Sequence, residues 1–248
     1  MSKNKVALIT GSAKRIGKQT AITLHNQGFD IVVHCNKSAK EAQDLVDHLN
    51  STRANSATYI QANLNKHQAV LDLASQAKSA FGRLDVLVNN ASTFYPTEVN
   101  KVSEEIWDDL FASNLKAPFF LSQALAEELN KNQGVIINIV DIHADRPLKG
   151  YPVYCTAKAG LVMLTKSLSR ELAPNIRVNA VAPGPILWHD NDLTEQDKTQ
   201  VLDEVLLKRL GSPINIAEAI LYLIQADYVT GHILAVDGGR SIYGGDKA

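Results

Sequence analysis

Tyr154 and Lys158 stand four residues apart in the stretch VDIHADRPLKGYPVYCTAK, and Asp141 lies thirteen residues before the tyrosine. A phenol, an amine and a carboxylate are groups that can move a proton. A phenol with a pKa of about 10 donates poorly at neutral pH. A lysine at i+4 lies on the same helical face, so its positive charge should favour the phenolate and lower the tyrosine's pKa. An ionised carboxylate cannot donate a hydrogen bond, and it would oppose a developing oxyanion. It can hold and relay a proton for a nitrogen that must gain one, and beside Tyr154 it should titrate as part of a coupled unit. Asp141 therefore speaks for an imine-like acceptor and against a simple ketone. Its plainer role would be a strand-end carboxylate capping a loop amide.

A second group of residues suits a dinucleotide. TGSAKRIG, Thr10 to Gly17, follows the first apolar run and opens the first helical one. Such a glycine turn lets backbone N–H groups and a helix N-terminus meet a pyrophosphate. The next apolar run ends about 20 residues on, as the dinucleotide pattern requires. Arg15 stands inside the turn, where positive charge and planar donors could serve a phosphate or the substrate. After the second run comes HCNKS, and no carboxylate occurs between Ile31 and Lys40 to hold a ribose 2′-hydroxyl. Lys37 and Ser38 could hold a 2′-phosphate instead, with His34 and Asn36 close by. NADPH is therefore expected over NADH. A nicotinamide donor delivers hydride to an electron-poor carbon, and the atom beside that carbon then needs the proton.

These residues need a scaffold, and the hydrophobic pattern supplies one. Apolar runs at 5–10, 30–35, 57–62, 84–90, 134–140, 176–183 and 232–239 predict strands buried on both faces. Segments 15–27, 38–50, 66–81, 103–131, 153–173 and 213–225 show helical spacing. Strands alternating with helices give an α/β fold: a single-domain, Rossmann-type, doubly wound parallel sheet spanning 1–248. Residues 184–208 interrupt the alternation with a polar, turn-rich stretch followed by a helical VLDEVLLKRL. That segment reads either as a substrate lid after a strand's carboxyl end or as a surface excursion; the lid is the expectation.

Composition removes several classes. The formal net charge is −1, so no nucleic-acid surface is expected. The first strand begins within five residues of the start, which leaves no room for a signal peptide, and no run of roughly 18 apolar residues predicts a membrane span. Cys35 and Cys155 are expected to be free thiols in a reducing, cytoplasmic setting. The seven histidines show no ligand spacing, so no metal is expected.

TGSAKRIG, NNAS (89–92), Asn114, YCTAK (154–158) and VTGHILAVDGG (229–239), in that order, resemble the short-chain dehydrogenase/reductase family over essentially the whole chain. Within the family, Arg15, NNASTFYPT (89–97), Asp141, DRPLKGYPVY and ELAPNIRVNAVAPGPIL are similar to pteridine reductases. That resemblance implies NADPH-dependent reduction of 7,8-dihydropterins (dihydrobiopterin, dihydromonapterin or dihydrofolate), with oxidised pterins as further substrates. It implies catalysis by Asp141, Tyr154 and Lys158, with Asn114 supporting the lysine through a water. Phe94 would stack the substrate on the nicotinamide, and Ser92 with Arg15 would bridge cofactor and substrate. Gly11, Ile16, Asn63, Leu64, Asn90, Ala91, Pro183 and Gly184 would complete the cofactor site. The family's usual aspartate is Asn63 here, and Lys37 stands in for its usual arginine. Trp188 could be a pocket wall or a buried anchor, and Tyr151 is equally open. Long helices at 103–131 and 153–173, with the family's habit, suggest a homotetramer. Two rivals remain: a short-chain carbonyl reductase, such as a 3-oxoacyl thioester reductase, and a catalytically silent NADPH-sensing protein.

Overall fold

The seven apolar runs become seven parallel strands: β1 (Val6–Ile9), β2 (Asp30–Cys35), β3 (Ala57–Gln61), β4 (Val86–Asn89), β5 (Val135–Ile139), β6 (Arg177–Pro183) and β7 (Ile233–Val236). They form one sheet in the order β3-β2-β1-β4-β5-β6-β7. The computed structural model describes residues 4–188 and 194–242. Strand side chains alternate between faces. Ala7, Ile9, Ile31, Val33, Val86 and Val88 join one core layer, while Val6, Leu8, Val32 and Leu87 join the other. Helices α1 (Arg15–Asn26) and α2 (Ala39–Thr52) cover the first layer, and α3 (His67–Phe81) covers part of the second. Both faces are thus dry, which is why these strands read as continuous apolar runs rather than alternating ones.

The predicted helix over 103–131 is interrupted. It consists of α4 (Glu104–Phe111), a π-helical segment (Ala112–Lys116) and α5 (Ala117–Lys131). Pro118 has no N–H to offer the Asn114 carbonyl, and the Ala117 N–H reaches back five residues to Ala112. The Asn114 side-chain amide takes the Leu110 carbonyl at 2.9 Å. This wide turn swings Asn114 inward, and such turns recur at functional sites.

Helix α6 (Pro152–Glu171) carries Tyr154 and Lys158. The helix expected over VLDEVLLKRL is a correction: α7 runs over Glu195–Asp203 instead. A capping box between Thr194 and Asp197 starts it early. Beyond it Lys208 takes φ 51, and the Leu207 N–H bonds the Gly238 carbonyl at 3.1 Å. Tertiary pairing with the chain after β7 overrides the local apolar pattern. The expected lid, 184–208, lies partly outside the described residues, at 189–193. Helix α8 (Pro213–Gln225) returns to the first face and packs along α1 through Ile216 and Ile220.

The strand order reverses direction of winding between β1 and β4, so a crevice opens at their carboxyl ends. The glycine turn fills its floor. Gly11 has φ 63, and a Cβ there would come within 2.9 Å of the Ala91 Cα. Gly17 packs against the turn's backbone, where a Cβ would stand 2.5 Å from the Gly11 carbonyl oxygen and 2.6 Å from the Asn90 amide. In a helix, glycine to alanine ordinarily stabilises by up to about 1 kcal/mol. Here Gly17→Ala should instead destabilise by about 1–3 kcal/mol through overpacking. Urea unfolding of the two proteins checks the sign.

Candidate active site

The ends of β4 and β5 and the start of α6 converge on one cluster. Asp141 leaves β5 in an extended conformation and caps the short 3-10 turn Ile142–Ala144, its Oδ1 accepting from the His143 N–H at 2.8 Å. Its Oδ2 accepts from the Tyr154 hydroxyl at 2.7 Å. The loop-capping role and the tyrosine partnership, which sequence reasoning set against each other, coexist on the two oxygens of one carboxylate. Pro152 at the head of α6 lacks an N–H to waste and orients the helix so that Tyr154 faces β5.

Tyr154 is 4% exposed and Lys158 2%. The Lys158 ammonium donates to the Ile139 carbonyl at 2.8 Å and lies 5.7 Å from the Tyr154 ring centre. Burial pulls the lysine down to about 8, and the Asp141 charge opposes that fall. Tyr154 moves the other way. Burial, then the Asp141 charge and hydrogen bond, hold its phenol well above 10, against a smaller pull from the Ser92 hydroxyl. The expectation that Lys158 lowers the tyrosine is therefore corrected: burial dominates, and the group within hydrogen-bond reach of the phenol is the Asp141 carboxyl, not the ammonium.

The aromatic loop joins the same cluster. Phe94 lies edge-on to Tyr154, ring centres 4.8 Å apart, and stacks face to face on Tyr151 at 4.5 Å and 12°. Tyr151, left open by the sequence, thus belongs to the aromatic wall. Asn114 is fully buried. It donates to the Thr93 carbonyl at 2.9 Å, and its oxygen accepts from the Ser92 hydroxyl at 2.7 Å. Its side chain holds the Ser92–Phe94 loop rather than pointing directly at Lys158.

The residues expected to hold a nucleotide divide into exposed ones around the crevice and ones that brace it. Arg15 is exposed at the helix start and keeps φ 53, a left-handed conformation that glycine would adopt without strain. Asn36 and Lys37 are exposed beyond β2, with Ser38 half-buried at the head of α2. Lys14 pairs with Glu41 at 2.7 Å across that edge. Asn90 braces: its amide donates to the Thr10 and Gly11 carbonyls at 2.7 and 3.0 Å, while the Ala91 N–H bonds the Thr10 hydroxyl. Ile16 packs toward the core. The Leu64 side chain is buried in the second core layer, and the Asn63 side chain closes a turn onto the Asn65 N–H. Pro183 ends β6, and Gly184 lies where a Cβ would meet the Asp237 Cα at 2.6 Å.

His34 is a brace as well. Its Nδ1 accepts the Gly11 N–H at 3.0 Å, and Nε2 lies 3.0 Å from the Ala62 carbonyl. Those partners require the neutral ring with its proton on Nε2. Three strand ends are thereby tied together under the turn. Sequence reasoning placed His34 near the phosphate but missed this clamp, because Gly11 and Ala62 are distant in sequence. Among the described residues no cluster of three or more potential metal ligands occurs, and no helix is long and apolar enough to cross a membrane.

Comparison with known proteins follows the same lines. Residues 5–200 match the family model described as short chain dehydrogenase. A 3-oxoacyl-(acyl-carrier-protein) reductase of Staphylococcus epidermidis is 36% identical, covering 95% of this chain and 98% of the relative. A hydroxy(phenyl)methylsuccinyl-CoA dehydrogenase subunit of Thauera aromatica is 38% identical over 98% of both chains. Pteridine reductase 1 of Leishmania tarentolae is 34% identical over 96% of both.

The clamp gives a pH signature. Burial holds His34 down at about 4, below an ordinary value of about 6.5. Between those values the unfolded chain binds the proton and the folded chain does not, so this stability is complete above pH 6.5 and falls as pH drops toward 4. The loss should total about 3 kcal/mol. Urea unfolding at pH 7 and pH 5 should show a smaller difference in His34→Asn; an equal difference would assign the slope to other groups.

Proposed function

The chain belongs to the short-chain dehydrogenase family, an oxidoreductase family, and on that premise we propose that it is an NADPH-dependent pteridine reductase. The substrates would be 7,8-dihydropterins such as dihydrobiopterin, dihydromonapterin or dihydrofolate, reduced to the tetrahydro form. The observation that carries the reading is the 2.7 Å hydrogen bond from the Tyr154 hydroxyl to Asp141.

The crevice suits a dinucleotide on its own geometry. Gly11 and Gly17 let the turn fold tightly on Ala91 and Asn90, where a Cβ would collide with the chain, and α1 begins at this turn, so its N-terminal N–H groups would meet a pyrophosphate. Lys37 and Ser38, beyond the end of β2, would hold the 2′-phosphate, and Glu41, the first acid in the chain after β2, is already paired with Lys14. NADPH supplies hydride. Everything else falls to the protein: Arg15 and Ser92 at the junction of cofactor and substrate, Phe94 against one face of a flat ring, and Asp141 with Tyr154 for the proton.

Two neighbouring acids in a dry site resist losing both protons, because each negative charge penalises the other. The pair can start with two protons and end with one. In delivery, Tyr154 passes its proton to the substrate nitrogen while the carboxyl proton of Asp141 moves to the phenol oxygen. The state left behind would be a phenol donating to a carboxylate, which the 2.7 Å contact between the two oxygens accommodates. Asp141 is only partly buried, so it can be recharged from water. Lys158, buried beneath the pair, offsets part of the remaining negative charge. The segment 184–208 would act as the lid that excludes water during the step.

A second reading has its own support. The relatives named for acyl-carrier-protein and CoA thioesters are 36% and 38% identical, against 34% for the pteridine reductase. These figures favour a 3-oxoacyl thioester reductase at least as well. Against it, a ketone develops an alkoxide, and once Asp141 has passed on its proton its charge would oppose that oxyanion where a serine would only donate.

NADPH oxidation with dihydrobiopterin, dihydromonapterin, dihydrofolate and an acetoacetyl thioester separates the two. Pterin turnover should occur in wild type and fall by about 100-fold or more in Asp141→Ser, the scale of losing an acid–base relay. Turnover of the thioester alone, or indifference to Asp141→Ser, would replace the pterin reading with the thioester one.

We also infer a homotetramer. Trp107, Phe119 and Met163, on α4, α5 and α6, are 43%, 37% and 60% exposed, an unusual apolar display for a lone subunit. Light scattering at working concentration should report four chains; a single-chain mass would reject the assembly.

A further inference from the structure

Asp109 lies on α4, outside the catalytic cluster, and each of its carboxylate oxygens holds a different loop. Oδ1 accepts from the Asn65 side-chain amide at 2.6 Å. Oδ2 accepts from the Tyr95 hydroxyl at 2.9 Å. The Asp109 backbone carbonyl also lies 3.4 Å from the Thr93 hydroxyl. Asn65 belongs to the turn after β3, which Asn63 closes by accepting the Asn65 N–H at 3.0 Å. Tyr95 follows Phe94 in the loop after β4. Asp109 is therefore the direct link between the turn assigned to the adenine and the loop assigned to the flat substrate.

We propose that Asp109 is a positioning residue that couples nucleotide occupancy to the order of the substrate loop. Adenine on the Asn63–Leu64 turn restricts Asn65, Asn65 holds Asp109, and Asp109 holds Tyr95 and with it Phe94. A ligand that stiffens one end leaves less disorder to remove at the other, so the two sites cooperate without a large movement. Burial, then the hydrogen bond and charge of Asp109, push the Tyr95 phenol up to about 12. It therefore stays a donor across the neutral range. The inference rests on the nucleotide reading above and not on the identity of the substrate.

The test is hydrogen exchange of the full chain, with and without NADPH, read on the peptide covering 92–98. NADPH should slow exchange there in wild type. The slowing should shrink by about 5-fold or more in Asp109→Ala, Tyr95→Phe and Asn65→Ala, the low end of typical coupling between sites. NADPH affinity, by nicotinamide fluorescence, should weaken by no more than the same factor, because coupling is reciprocal. Asp108→Ala, one residue away, should leave the slowing intact. Asn65→Ala decides the matter: it cuts the nucleotide arm and spares the Tyr95 bond. If its slowing equals wild type, Asp109 only staples the substrate loop and the proposal fails. Should Asp109→Ala not fold, the other two variants carry the test. NADPH binding without any slowing overturns the coupling alone. No NADPH binding by wild type removes the nucleotide reading and the coupling together.

Discussion

A phenol and a carboxylate held 2.7 Å apart in a nearly dry site cannot both be ionised, and the surrounding structure is arranged around that constraint. Asp141 must sit at the end of β5 with one oxygen anchored, which its cap on the His143 N–H provides. Tyr154 must arrive from the first turns of α6, which Pro152 starts without leaving an unsatisfied donor. Lys158 must lie beneath them, where its charge is felt but its amine does not compete for the phenol.

The sheet beneath is not purely apolar, and its polar spine serves the same purpose. Asn89 on β4 donates to Asn138 on β5 at 2.8 Å, and Asn138 donates to Thr165 on α6 at 2.9 Å. Thr165 in turn bonds the Leu161 carbonyl within its own helix. These groups are all buried, so breaking one link would leave its partner without water to replace it. That cost fixes how α6 sits on β4 and β5, and therefore where Tyr154 meets Asp141. The α4–α5 junction does comparable work on the other side: its π-helical turn places Asn114 to hold the Ser92–Phe94 loop.

Family and substrate are decided by different parts of the molecule. Similarity spread over nearly the whole chain with relatives of different named activities assigns the family without assigning the acceptor. Substrate chemistry in the proposed reading would depend on few side chains, the carboxylate at 141 and the aromatic wall at 94 and 151. Percentage identity weighs those residues no more than a core valine.

By itself the sequence determined the strands, because burial on both faces demands unbroken apolar runs, and it determined most helices through their periodic apolar faces. It also marked Gly11, Tyr154, Lys158 and Asp141, since short local spacing carries their chemistry. The helix predicted at the end of the 184–208 segment was misplaced, because the chain there pairs with Gly238 rather than continuing its own pattern. The break at 112–116 was hidden inside one amphipathic run, although Pro118 was its signal. Only the tertiary structure decided that burial, and after it Asp141, raises the proton affinity of Tyr154. It alone showed His34 clamping Gly11 to Ala62, and Asp109 joining Asn65 to Tyr95. Each is a contact between residues far apart in the chain, so its distance and burial follow from the packing of strand ends and not from any local pattern.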